Sequence, residues 1–583
     1  MSTQTGNKGF KRLFLGNPIA TSEDHHQRLS KKIALPVFAS DAISSTAYAT
    51  EEILIVFLSL AGIGALAYSQ LVPISLMVVA LLIIVVTSYR QTIFAYPNGG
   101  GSYVVSKENL GEYPGLIAGG SLLVDYILTV CVSVAGGTAA IISAFNNLAP
   151  YRVQICCGFV LLMMLANLRG LKESGKLFAL PTYIYVVSLI TLIVVGLYRV
   201  FFQGLPPIEH TGEAKHLLEM QGSLSLFYFL KAFSSGAVAL TGVEAVSNGV
   251  PAFEKPESKN ASTTLVWMGA ILGTCFLGVS VLAVHLKPYR GEHDGNGLGL
   301  MAEYLYHGKG VMFWLTMVGT FLILILAANT AYADFPRLAS IVAKDGFLPR
   351  QFFNRGTRLV FSNGVLFLAT IASLLIIAFN GDISKLIPLY AFGVFTGFTL
   401  SQSGMVMHHI HLKEKGWKLG IAINATGAVT TGLIAGIVVV SKFTEGAWIP
   451  AFLIPFMVLT FRAIGRHYAR GRKVVKSEPG FWPSRETHTM VVLVGGINKG
   501  VLQGLQYAKS LNPDRLVALT VVSSPEEQAQ LQEQWDSYNI PLELTFEFSE
   551  FRELTNPVMR YLDELDSLYS DDIITVVIPE FVT

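Results

Sequence analysis

The sequence predicts a polytopic α-helical membrane protein that continues into a small soluble α/β domain. Three observations carry this. Of 583 residues, 52% are hydrophobic and only 14% charged, against about 25% charged in soluble domains. Apolar runs of spanning length recur from residue 33 to residue 463. After about residue 475, short apolar strands alternate with polar helices, the pattern of a parallel sheet. The chain thus divides into a polar segment (1–32), a twelve-run membrane domain (33–463), a basic linker (464–485) and a soluble domain (486–583).

A span needs about 20 residues. Runs of that order cover 33–61, 69–96, 114–144, 153–169, 178–203, 224–250, 262–286, 311–341, 360–379, 383–409, 419–441 and 446–463, which predicts twelve helices. Basic residues cluster before the first run (Lys8, Lys11, Arg12, Arg28, Lys31, Lys32), between the fourth and fifth (Arg169, Lys172, Lys176) and after the eighth, tenth and last. With twelve spans these fall on one side, which the positive-inside rule makes the cytosol. Both termini are therefore expected in the cytosol, and no cleavable signal peptide is expected at the start. Cys131, Cys156, Cys157 and Cys275 all lie in apolar runs and read as core residues, with neither a disulfide framework nor zinc spacing. No nucleophile–base pair stands out, so an enzyme is not expected, nor a cofactor or a nucleic-acid partner.

The first run contains Ser40-Asp41-Ala42-Ile43-Ser44-Ser45-Thr46-Ala47-Tyr48. An ionised Asp at a bilayer centre costs roughly 2.5–3.5 kcal/mol, and the hydroxyls after it compete with helical backbone bonds. A helix broken here would offer a carboxylate and free carbonyls near the midplane, as ion transporters do. The other reading is that Asp41 caps a helix at the membrane surface. In an unbroken helix Asp41 and Tyr48 would share a face about 10 Å apart. The third run places Asp125, Thr129 and Ser133 at i, i+4 and i+8, one oxygen-bearing stripe, beside Tyr126. Such a stripe suits a partly dehydrated alkali cation. Alternatively, the hydroxyls back-bond to their own helix.

The sixth run, Phe233-Ser234-Ser235-Gly236-Ala237-Val238-Ala239-Leu240-Thr241-Gly242-Val243-Glu244, has glycines and serines that weaken a helix. A second break is expected there, and Glu244 either carries a proton or ties loose backbone. Tyr390 in the tenth run reads as packing on its own evidence. Asp334, three residues before Arg337, reads as an ion pair and not a substrate ligand. Breaks in spans one and six make spans one to five and six to ten two inverted repeats, with a site between the broken members.

The soluble domain reads as strands over 488–494, 516–522, 542–548 and 573–578 with helices between them. So few strands leave open a domain completed by another chain. Gly495, Gly496 and Gly500 after the first strand could approach a phosphate at a helix N-terminus, or form a plain turn.

The stretch Ser40–Tyr48, the segment Tyr96-Pro97-Asn98-Gly99-Gly100-Gly101-Ser102-Tyr103, Val124-Asp125-Tyr126 and Thr241-Gly242-Val243-Glu244 together resemble the KimA-type potassium importers, the potassium-uptake (KUP) branch of the amino acid–polyamine–organocation superfamily. The resemblance implies a leucine-transporter-type inverted-repeat fold with two further helices, and proton-coupled potassium uptake by alternating access in a bacterial plasma membrane. It assigns the potassium site to Asp41, Tyr48, Asp125, Tyr126, Thr129, Ser133, Thr241 and Tyr390, and proton coupling to Glu244. It also implies a homodimer and a universal-stress-protein-like domain that binds inhibitory cyclic di-AMP, through residues the sequence does not single out. The competing function is a proton-coupled permease for amino acids or cationic amines. Asp41 at the first break would repel a substrate carboxylate, which favours a cation. A membrane-tethered sensor is disfavoured by the cost of three acids within the spans.

Overall fold

The structure, a computed structural model, describes residues 29–583 except 61–63, 100, 170–174, 211–214, 217, 219–223, 290–295, 355–360, 415, 476–486, 550–552, 570–571 and 581–583. The chain forms two compact units, Met1–Arg472 and Lys473–Thr583.

The first span is broken. Helix α1 (Lys31–Ser44) passes through a 3₁₀ turn (Ser45–Ala47) into α2 (Ala49–Ile55), which ends in a π-helical turn, Val56–Leu60. The hydroxyls of Ser44, Ser45 and Thr46 donate to the carbonyls of Asp41, Ala42 and Ile43. These bonds loosen the helical ladder. They also occupy one lone pair of carbonyls that the sequence left free, a correction to that expectation. Pro36 lacks the N–H that would reach the Lys32 carbonyl, and the Tyr183 hydroxyl donates there instead, at 3.0 Å.

The remaining elements of the first repeat are α3 (Gly64–Ala95), the short α4 (Ser102–Leu110), α5 (Glu112–Ala144), α6 (Arg152–Leu168) and α7 (Gly175–Gln203). The sixth span breaks as the first does. Helix α8 (Leu226–Gly236) and a 3₁₀ turn (Ala237–Leu240) lead to extended Thr241, then Gly242 at φ +77°, then α9 (Ala245–Asn248). The second repeat continues with α10 (Glu257–Leu286), α11 (Gly297–Leu305), α12 (Val311–Lys344), α13 (Ser362–Ala378) and α14 (Ile383–Leu412). Two helices follow the repeats, α15 (Trp417–Lys442) and α16 (Trp448–Val475).

Among the described residues ten helices are long and apolar enough to cross a membrane. The shorter apolar α13 and the divided first span complete the sequence-predicted order. The architecture is the leucine-transporter-type pair of five-helix inverted repeats with two added helices. Polarity is distributed as lipid demands. Phe452, Phe456 and Leu459 are exposed, whereas Ser40, Asp125 and Thr241 are buried. Small residues let helices close up: Gly136 and Gly137 of α5 face Leu324 and Phe321 of α12. Helix α16 runs through Val475, so Arg466 and Arg470 lie on it.

The second unit contains β1 (Thr487–Leu493), α17 (Lys499–Ser510), β2 (Arg515–Val522), α18 (Pro525–Ser537), β3 (Leu544–Phe548), α19 (Thr555–Leu568) and β4 (Asp572–Val577). Its four-stranded sheet has the order β3-β2-β1-β4 and every pair is parallel. Crossover helices cover both faces of such a sheet, and the central strand β1 carries its apolar residues together at Met490–Leu493. Met490 and Val492 of β1 pack under Val501, Leu505 and Trp535, and Val491 packs against Leu565. The chain winds outward from β1 to β3 and then returns to β4, leaving a switch point between β1 and β4.

Candidate functional site

The two breaks meet. The Ser45 hydroxyl reaches the Ala239 carbonyl (3.0 Å) across them, and Gly242 lies against the Asp41 carboxylate. Around this meeting point the structure gathers most of the residues singled out in the sequence. Tyr48 occupies the junction between the 3₁₀ turn and α2, a non-helical position at φ −133°, beside Asp41, Thr241 and Asp125. Its hydroxyl meets the Thr241 side chain at the second break. Tyr390, 1% exposed, lies beside Asp41, Asp125 and Tyr48 and accepts a hydrogen bond from Thr129 Oγ1 at 3.1 Å. Asp125 is 5% exposed, and its Oδ1 has no hydrogen-bond partner among the described residues. The site is buried and made of two carboxylates, hydroxyls and phenols.

Two candidates sit apart. Tyr126 follows Asp125 and so points about 100° away from the Asp125–Thr129 stripe. Its hydroxyl accepts from the Asn248 side chain at 3.0 Å. Ser133 is buried one turn beyond Thr129 on α5. Asp334 pairs with Arg337 at 3.3 Å, as the sequence reading has it.

Glu244 lies just past Gly242. Its Oε2 accepts from Ser102 (2.9 Å) and Tyr89 (3.2 Å), and its Oε1 is buried without a partner among the described residues. Neither Tyr89 nor Ser102 was singled out in the sequence for a role of its own. The glycines before Ser102 have a physical role at this place. A β-carbon on Gly101 would lie 2.4 Å from Asn248 Oδ1, and one on Gly99 would lie 3.1 Å from the Asn248 carbonyl. The glycines let this loop seat against the second break and deliver Ser102 to Glu244.

On the other side of Tyr48 a cavity of about 10 Å³ is bounded by Glu51, Glu52, Asn296 and Ile383. That is room for one water-sized occupant. The N-terminus of α11 closes over it, with the Gly297 N–H donating to Glu51 at 2.8 Å.

These features define a polytopic membrane transporter, and comparison with known proteins agrees. Residues 37–461 match the amino acid permease family and residues 486–583 the KimA potassium transporter C-terminal domain. The chain is 42% identical to the potassium transporter KimA of Bacillus subtilis (strain 168), over 98% of this chain and 93% of that one. It is 26% identical to the cationic amino acid transporter 3, mitochondrial, of Arabidopsis thaliana, over 67% of this chain and 64% of the relative. A manganese transporter of Eremococcus coleocola superposes with a TM-score of 0.43 at 11% identity, over 76% of this chain and 95% of that one. The chain belongs to the KimA potassium transporter family, a family of transporters and not of enzymes.

Proposed function

We propose that the protein imports potassium with protons across a bacterial plasma membrane by alternating access, with both termini in the cytosol. The observation that carries this is the burial of two carboxylates, Asp41 and Asp125, among hydroxyls and phenols near the meeting of the two breaks. The charges acting on Asp125 are Glu244 and Asp41, all carboxylates, and the surrounding ligands are oxygens. A hard monovalent cation offsets that charge and accepts those donors. In this reading Asp41, Tyr48, Asp125, Thr129, Thr241 and Tyr390 form the inner shell. Tyr126 and Ser133 serve the ion on its way in or out, and Glu244 carries the proton. Rocking of the repeats exposes the site alternately to the two sides.

The test is growth at limiting potassium of a bacterium lacking its own importers. Wild type rescues growth, and Asp125→Asn at equal expression does not. Failure of wild type to rescue, with uptake of labelled lysine or putrescine instead, moves the assignment to a cationic amine permease. Two buried carboxylates would also suit an ammonium group, and one relative is named a cationic amino acid transporter.

For the soluble domain the proposal is a regulatory one: a homodimer in which cyclic di-AMP inhibits transport. The switch point between β1 and β4 supports a nucleotide there, since open parallel sheets bind ligands at such points. Gly495 and Gly496 follow β1, and Asn498 caps α17 by accepting from Val501 N at 3.0 Å. Cyclic di-AMP on the cytosolic face of proteoliposomes should lower uptake by wild type. Uptake unchanged at saturating nucleotide overturns this part of the reading alone.

A further inference from the structure

Glu244 is held by a triangle of oxygens, with Ser401 a further partner of the Tyr89 hydroxyl. Tyr89 Oη lies 3.2 Å and Ser102 Oγ 2.9 Å from Glu244 Oε2, and the two hydroxyls are 3.1 Å from each other. Tyr89 and Ser102 are fully buried. Three elements converge here: Tyr89 comes from α3, Ser102 from the start of α4, and Glu244 from the turn before α9. The Tyr89 ring is fixed edge-on to Phe398 of α14 at 5.5 Å.

Counting hydrogens gives the triangle a meaning. The two hydroxyls supply two hydrogens for three contacts while Glu244 is ionised, and the Tyr89–Ser102 contact goes without one whenever both donate to Oε2. A proton on Oε2 supplies the third, so each contact then has its hydrogen. The same geometry therefore serves both protonation states by rotation of hydroxyls alone, with no heavy atom moving. The other titratable groups acting on Glu244 are Asp41 of α1, Asp125 and Tyr126 of α5, and Asp334 of α12, which is paired with Arg337. Among the described residues only Tyr89 and Ser102 hydrogen-bond its carboxylate.

We propose that Tyr89 and Ser102 are positioning residues for proton coupling, forming with Glu244 a three-oxygen unit that sets the pH at which transport runs. This rests on the reading of Glu244 as the proton carrier. Removing the Tyr89 hydroxyl costs the protonated form two neutral bonds, but it leaves the buried ionised carboxylate with one donor of two, the larger loss because an under-satisfied buried charge pays the greater desolvation penalty. Glu244 then keeps its proton to higher pH.

The experiment is rubidium uptake by the full-length protein in proteoliposomes over a series of pH values. Wild type, Glu244→Gln, Tyr89→Phe, Ser102→Ala and Ser102→Thr are compared. In wild type uptake depends on pH, and in Glu244→Gln that dependence is absent. In Tyr89→Phe the pH of half-maximal uptake rises by about one unit, with the rubidium KM at low pH unchanged. Ser102→Ala shifts the same way, and Ser102→Thr, which keeps a hydroxyl, returns to the wild-type profile. A pH-independent wild type, or a Glu244→Gln profile like that of wild type, overturns the carrier reading itself. A pH-dependent wild type with Tyr89→Phe superimposed on it overturns the triangle and leaves the carrier standing. Should Tyr89→Phe be inactive, the serine pair decides, and an unshifted Ser102→Ala overturns the proposal.

Discussion

Gly242 and Asp41 touch across the two helix breaks. A β-carbon on Gly242 would stand 2.6 Å from Asp41 Oδ2 and 2.8 Å from the Ala42 nitrogen, and the glycine holds φ +77°, a conformation costly for any L side chain. Backbone and contact thus both demand glycine at this place.

Gly242→Ala should therefore displace the Asp41 carboxylate. Rubidium uptake is expected to fall to background, whereas thermal unfolding reports a loss of only about 1–3 kcal/mol, the usual cost of a strained residue. Near-normal uptake would show that the carboxylate position is unimportant.

The Thr129–Tyr390 bond joins α5 to α14 at the site. Thr129→Val keeps the shape and removes the donor. A lost hydrogen bond of about 1–1.5 kcal/mol corresponds to roughly a tenfold change in affinity. The rubidium KM should rise about that much in Thr129→Val and in Tyr390→Phe. Because one bond is shared, the double variant should be no worse than the weaker single one. Additive losses would separate the two residues.

How far the sequence reveals this site depends on distance along the chain. Both breaks are legible because their causes are local: hydroxyls three residues from the carbonyls they take, and a glycine where φ turns positive. The Asp125–Thr129 stripe is legible because helical periodicity is local too. Tyr89 is not, since a tyrosine in an apolar run looks like any packing residue until Glu244, 155 positions away, is seen beside it. The position of Ser102 depends likewise on Asn248 meeting Gly101. In the soluble unit the alternation of strand and helix was readable. The order β3-β2-β1-β4 was not, because pairing between strands leaves no local trace.

A buried charge cluster on the Glu52 side of Tyr48 gives a further prediction. Lys442 of α15 is 2% exposed, with Glu52 and Glu445 as its opposing charges. Lys231 of α8 forms an ion pair with Glu445, and Ser384 donates to Glu52 at 2.8 Å. The cluster ties α2 and α8, one half of each broken span, to α14 and α15. Lys442→Met removes the cation beside buried Glu52 and half-buried Glu445, and breaking a buried pair costs about 3–5 kcal/mol. Its apparent melting temperature should drop clearly, and Glu52→Gln added to it should recover part of the loss. No recovery would mean that Lys442 contributes by packing and not by charge.

The last prediction concerns the sheet. Asp572 starts β4 with its side chain fully buried. It accepts from Thr489 N at 3.1 Å and from the Thr489 hydroxyl, and it pairs with Arg515 at 3.6 Å. Arg515 in turn lies 3.4 Å from the centre of the Tyr569 ring. One carboxylate therefore fastens β4 to β1 and β1 to β2, whose paired residues are Thr487↔Asp572 and Thr489↔Arg515. Asp572→Ala strands a buried N–H and a hydroxyl, at about 1–3 kcal/mol for each unsatisfied group. Hydrogen exchange in the full-length protein should become faster over 487–493 and 572–577, with the amides of α5 and α12 unchanged. If β3, the strand farthest from Asp572, loosens first, the carboxylate is not what holds β4 in place.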